Sequence, residues 1–157
     1  MRKCSSYIIS AIIVLCLFSS CGKNTVFCEY KPVHNKIWNK QDIRSFSFGI
    51  EDNSIAYDIS LQLRNNDMYP YQNLWLLCEE LQISSTYIKN DTIEFMLADS
   101  FGKWNGSGIT LFQNNIPLRN KYHFPDTGKY IINIRHGMRD DNLKGIEDIG
   151  LLIEKSE

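Results

Sequence analysis

Ser45-Phe46-Ser47-Phe48-Gly49-Ile50-Glu51-Asp52-Asn53-Ser54-Ile55-Ala56-Tyr57-Asp58-Ile59-Ser60-Leu61-Gln62-Leu63-Arg64 holds two runs in which apolar and other residues alternate one for one. Phe46, Phe48 and Ile50 alternate with Ser45, Ser47 and Gly49; Ile55, Tyr57, Ile59, Leu61 and Leu63 alternate with Ala56, Asp58, Ser60, Gln62 and Arg64. Successive side chains of a strand point to opposite faces, so a period of two means a strand with one face buried. Glu51 to Ser54 is turn chemistry, and the pair reads as a hairpin with a four-residue loop.

The same pattern extends outward in both directions. Further strands are expected at Val26 to Tyr30, Asn73 to Leu81, Thr92 to Ala98, Leu118 to Phe124, Lys129 to Arg135 and Ile146 to Glu154. Turn-rich breaks fall at Asn65 to Pro70, Gly102 to Gly108, Pro125 to Gly128 and Gly137 to Gly145. Short strands at this spacing, with no long 3.6-residue period, predict an all-β domain: a single antiparallel β-sandwich, jelly-roll-like or immunoglobulin-like. Asn73 to Leu81 is apolar on both faces, which places it in the middle of a sheet.

The N-terminus is of another kind. Met1, Arg2 and Lys3 form a positive end, and Tyr7 to Phe18 is an almost unbroken apolar stretch. It is too short for a membrane span, which needs roughly 20 apolar residues, but long enough for export. It ends in Leu17-Phe18-Ser19-Ser20-Cys21, which resembles a lipobox. The expected organisation is a cleaved lipoprotein signal peptide over 1–20, a lipidated tether over 21–26 with Cys21 acylated by palmitate-type chains, and a sandwich over 27–157. Loss of Arg2 and Lys3 shifts the net charge from −1 to −3, which argues against nucleic acid as a partner. Of five cysteines only Cys28 and Cys78 remain to pair. An oxidising compartment permits that disulfide, while the apolar setting of Cys78 equally suits a free, buried thiol.

No catalytic or metal constellation stands out. His34, His123 and His136 are far apart and lack the close ligand pairs that announce zinc, so neither a metal nor a cofactor is expected. Gly106-Ser107-Gly108 lacks the nucleophile elbow, and Lys103 is misplaced for a phosphate loop. Asp99, Asp141 and Asp148 have nothing in sequence to orient them as acids or bases. Trp104, set among glycines, either packs or presents its indole. Tyr69, Tyr71 and Trp75, close to amides and Arg64, either cap the core or contact a sugar or an extended peptide. The acids of Gly137 to Gly150 do not follow a calcium loop and are expected to cap turns and pair with Arg139.

These clusters together resemble the gliding-motility lipoproteins of the GldH type, found in the Bacteroidetes. The order of parts carries the resemblance. A lipobox cysteine is followed by Arg64-Asn65 and Tyr69-Pro70-Tyr71-x-Asn73-Leu74-Trp75, then Asp91-Thr92-Ile93-Glu94 and Ala98-Asp99-x-x-Gly102-Lys103-Trp104-x-Gly106. Met138-Arg139-x-Asp141-x-Leu143-x-Gly145-Ile146-x-Asp148-Ile149-Gly150 completes it. The resemblance implies an envelope lipoprotein tied to gliding and to the type IX secretion system that gliding shares, and no enzymatic step. Asp91-Thr92-Ile93 also resembles the tripeptide at which this phylum attaches O-glycans, which makes Thr92 a candidate acceptor.

The expectation is therefore a non-catalytic lipoprotein that supports assembly or stability of that machinery. It would be anchored by lipid to the outer membrane and would touch other envelope proteins through Tyr69, Tyr71, Trp75, Trp104 and Arg139. Gly22-Lys23-Asn24 lacks the acidic run that resembles a surface-export tag, which points to the periplasmic face. The rival expectation is a lipid-anchored glycan- or peptide-binding sandwich with Tyr69, Tyr71 and Trp104 as the stacking platform.

Overall fold

The computed structural model describes residues 24–157. The signal peptide, Cys21 and the first residues of the tether lie outside them. Ten strands follow one another: β1 Thr25–Pro32, β2 Ile37–Asn39, β3 Arg44–Ile50, β4 Tyr57–Asn66, β5 Asn73–Gln82, β6 Ile88–Met96, β7 Leu111–Tyr122, β8 Gly128–His136, β9 Asn142–Lys144 and β10 Ile146–Lys155. One four-stranded sheet runs β1-β10-β4-β7, a second runs β3-β8-β5-β6, and β2 pairs with β9 in a short ribbon; every pairing is antiparallel. The chain is a β-sandwich, as its alternation predicts.

The core follows from that alternation. Phe46, Phe48 and Ile50 of β3 and Leu74, Leu76 and Cys78 of β5 face inward from the second sheet. Ile59, Leu61 and Leu63 of β4 and Ile149, Leu151 and Ile153 of β10 meet them from the first. Strand β5 lies inside its sheet, between β8 and β6, as its two-sided apolarity requires.

The expected hairpin is not there. β3 pairs with β8 and β4 with β10 and β7, so Glu51 to Ala56 crosses from one sheet to the other. Alternation aims both apolar faces at the same interior, and two facing sheets satisfy it as well as two neighbouring strands do. Other boundaries move. β6 begins at Ile88, not Thr92; β7 begins at Leu111, not Leu118; β1 begins at Thr25, inside the expected tether; and β2 and β9 are strands that the alternation does not predict.

This topology gives the sandwich two distinct ends. Thr25 lies opposite Glu154, and Lys155 opposite Tyr57, so both termini emerge together. The β3–β4, β5–β6 and β7–β8 connections share that end, where Asn53 Nδ2 donates to the Pro125 carbonyl at 3.1 Å. The opposite end carries the β4–β5, β6–β7 and β8–β9 connections and the β2–β9 ribbon. A ten-residue strand spans roughly 33 Å, so the distal loops stand about that far from the point where the tether enters.

Candidate functional site

The distal end is built by side chains that tie one loop to the next. Asn66 Oδ1 accepts from the Met68 amide at 2.9 Å while its Nδ2 donates to Glu147 at 2.8 Å. Tyr69 is 3% exposed, donates to the Asn73 carbonyl at 2.8 Å, and has its hydroxyl pKa pushed up by burial. Its ring meets Tyr71 edge-on at 5.9 Å and Trp104 at 6.3 Å, tilted by 56°, and Trp104 stacks on Phe112 at 5.5 Å. Asp99 Oδ1 accepts the amides of Phe101 and Lys103, both at 2.9 Å, which closes the turn that leads to Trp104.

Tyr69, Tyr71 and Trp104 therefore form no stacking platform. Tyr69 is buried, its ring is steeply inclined to those of Tyr71 and Trp104, and the half-buried Trp104 packs between two loops. Of the two readings open for Trp104, packing is the one realised.

What these supports hold outward is apolar. Met68 is 62% exposed, Met96 48%, Phe101 95% and Ile109 91%, all on or beside the β4–β5 and β6–β7 connections. Large apolar side chains clustered in solvent are a feature of contact surfaces; a smaller pair, Ile83 at 56% and Ile88 at 58% exposed, flanks the β5–β6 connection at the tether end. The sequence carries only one signal for the distal set, two large apolar residues beside the glycines of an otherwise polar loop.

Tyr71, Trp75 and Arg139 converge on the rim between this end and the outer face of the second sheet. With Asn73, Met138 and Asp140 they line an open groove of about 650 Å³. The Tyr71 hydroxyl donates to Asp140 Oδ2 at 2.6 Å, and the bond raises its pKa. The acids around Arg139 pair elsewhere: Asp141 lies 3.8 Å from Lys40 Nζ, Glu147 lies 2.8 Å from Lys36 Nζ, and Asp148 pairs with Arg64.

Cys28 and Cys78 are free thiols. Cys28 is exposed on the edge strand β1, and Cys78 is buried on β5 of the other sheet, so the alternative of a disulfide between them is not realised. Burial pushes the Cys78 thiol up to about 11. Thr92 is exposed on the edge strand β6, and its neighbour Asp91 pairs with Arg119. Among the described residues no His, Cys, Asp and Glu side chains gather into a group able to hold a metal. No helix among them is long and apolar enough to cross a membrane.

Fold and site together define an antiparallel β-sandwich with Thr25 and Lys155 at one end and loops bearing exposed apolar side chains at the other. Residues 25–153 match the GldH lipoprotein family. A gliding motility lipoprotein GldH homolog of Christiangramia forsetii is 32% identical over 154 residues, covering 93% of each chain. The gliding motility lipoprotein GldH of Flavobacterium johnsoniae is 32% identical over 157 residues, covering 94% of this chain and 97% of its own. The chain belongs to the GldH lipoprotein family. Among solved structures, a family 11 carbohydrate-binding module from Clostridium thermocellum, in complex with a mixed-linked tetrasaccharide, aligns over 88% of this chain and 92% of its own. It is 11% identical with a TM-score of 0.32, too slight a likeness to carry any statement about ligands.

Proposed function

We propose that this protein is a non-catalytic envelope lipoprotein that supports assembly or stability of the gliding-motility and type IX secretion machinery by docking another envelope protein on its distal loops. Acyl chains on Cys21 hold it at the periplasmic face of the outer membrane. The observation that carries the reading is the set Met68, Met96, Phe101 and Ile109, exposed at the end opposite the tether. A membrane that holds the protein by its N-terminus sits at the other end of the sandwich, which leaves a protein with a complementary apolar patch as the natural cover. Family membership and the names of the relatives support the gliding setting.

The non-catalytic reading rests on how the acids are used. Asp99 caps its own loop, Asp141 faces Lys40, and Asp148 is taken up by Arg64. The lipid reading rests on the apolar leader ahead of Cys21, since several acyl chains hold a domain firmly where one is marginal. Crosslinking in the native envelope followed by purification tests docking: a defined second protein is expected in the adduct, and a clean monomer sinks the reading. Protease shaving of intact cells tests the leaflet, with the domain expected to survive. Intact mass of the purified protein tests both modifications: acyl chains on Cys21 are expected, a further glycan mass would mark Thr92 as an acceptor, and a mass equal to the lipidated polypeptide would rule that out.

A further inference from the structure

We infer that the outer face of the second sheet binds a linear, largely uncharged glycan in a cleft that runs along β5. Leu77, Glu79, Asn90, Thr92, Asn133 and Arg135 line a cleft of about 410 Å³ on this face. It meets the groove of Tyr71, Trp75 and Arg139 end to end, because Trp75, Leu77 and Glu79 are successive outward residues of one strand. From Asn73 to Glu79 the floor is about 20 Å long at ~3.3 Å per residue.

The chemistry of the floor selects the class of ligand. Over the stretch where β5 lies between β6 and β8 its backbone is paired on both sides, so a peptide laid along it finds no strand edge to extend. What the cleft offers is side chains. Asn133 Nδ2 donates to Glu79 Oε2 at 2.8 Å and Asn73 Nδ2 donates to Glu94 Oε1 at 2.6 Å. Each pair fixes a planar amide against a planar carboxylate and leaves an amide carbonyl and a second carboxylate oxygen for a ligand. Adjacent hydroxyls, which donate and accept at once, suit such a pair. Asn90 lies across β6 from Glu79, Thr92 and Arg135 flank Leu77, and the 38% exposed Trp75 supplies an apolar ring for the C–H face of a sugar. Charges of both signs line the floor, Glu79 and Glu94 with Arg135 and Arg139, so neither a cationic nor an anionic chain is matched along its length, hence the largely uncharged class.

The cleft is separate from the apolar tip, so the two readings fail separately. The test applies the detergent-solubilised full chain to arrayed linear neutral oligosaccharides (β-glucans, mannans, xylans and chitooligosaccharides) and repeats any binding with Trp75→Ala, Glu79→Gln and Phe101→Ser. Binding to one linear series is expected, weakened roughly tenfold or more by Trp75→Ala and by Glu79→Gln and unchanged by Phe101→Ser. Thermal melts of the variants separate lost binding from lost folding, and the near-isosteric Glu79→Gln keeps the test decisive should Trp75→Ala unfold. No binding anywhere on the array, binding indifferent to both cleft variants, or a sugar carried covalently on Thr92 and filling the cleft in cis would each overturn the inference.

Discussion

His136 is the residue with most at stake. It is completely buried, its ring stands edge-on to Trp38 at 5.1 Å, and neither ring nitrogen makes a well-aligned hydrogen bond. Burial lowers its pKa and Lys40 pushes the same way, while the backbone of Trp38 and then Asp141 pull against them. Stability from the neutral ring is then full above the ordinary histidine value of about 6.5 and is lost as pH falls below it. Denaturant unfolding is expected to show a loss of stability as pH falls below about 6.5 that His136→Phe flattens; parallel slopes for the two proteins would contradict this. Asp52, Asp58 and Glu147, held below their usual values by hydrogen bonds, act only lower, below about pH 4. Gly145 shows the backbone side of the same logic. Its φ is +79° and a Cβ there would stand 2.4 Å from the Tyr69 amide nitrogen, so Gly145→Ala is expected to destabilise by about 2–4 kcal/mol in urea unfolding. Many residues that carry the family resemblance prove to be structural in this way: Asn65 accepts from buried Asn114 at 2.9 Å, Asp148 holds Arg64, and Tyr69 and Trp104 brace each other. The aromatic cluster was legible in the sequence, but its rings could equally have faced in or out, because composition says nothing about which side of a loop is covered.

At the scale of elements, period-two alternation located most strands and their buried faces, since burial on one side leaves that imprint directly. It did not reveal partners. β3 and β4 read as neighbours and lie in opposite sheets, because pairing is decided by turn geometry and by the rest of the core. The ribbon of β2 and β9 was illegible for another reason: three residues are too few for a period, and each strand gains its place from the other. Its anchor is Trp38, fully buried, with its indole N–H donating to the Asp42 carbonyl at 2.8 Å. Trp38→Ala is expected to cost about 3–5 kcal/mol, read as a shift in the urea midpoint. The sandwich edge between β6 and β7 is closed by the Arg119–Asp91 pair and by Tyr122, whose hydroxyl lies 2.8 Å from that of Tyr87 and donates to the buried Glu80 at 2.9 Å. That seam ties together, at a few side chains, two edge strands of a kind that invites pairing with another chain.

At the scale of the molecule, the arrangement is polar from end to end: termini and tether at one pole, braced loops with exposed apolar side chains at the other. The loop clusters were visible in the sequence, but that they gather at the pole opposite Thr25 belongs to the topology alone. Phe101 and Ile109 support nothing beneath them, so the double change Phe101→Ser and Ile109→Ser is expected to leave stability within about 0.5 kcal/mol while removing the crosslinked partner. The most direct measurement of the two-ended account is site-specific photocrosslinking in the native envelope, with the probe placed in turn at Phe101, at Ile109, and at Ser54 and Ser85 on the tether end. The account predicts a discrete protein adduct from the two distal positions and none of the same mass from the two proximal ones. An adduct confined to the tether end, or none from Phe101 and Ile109, would contradict it.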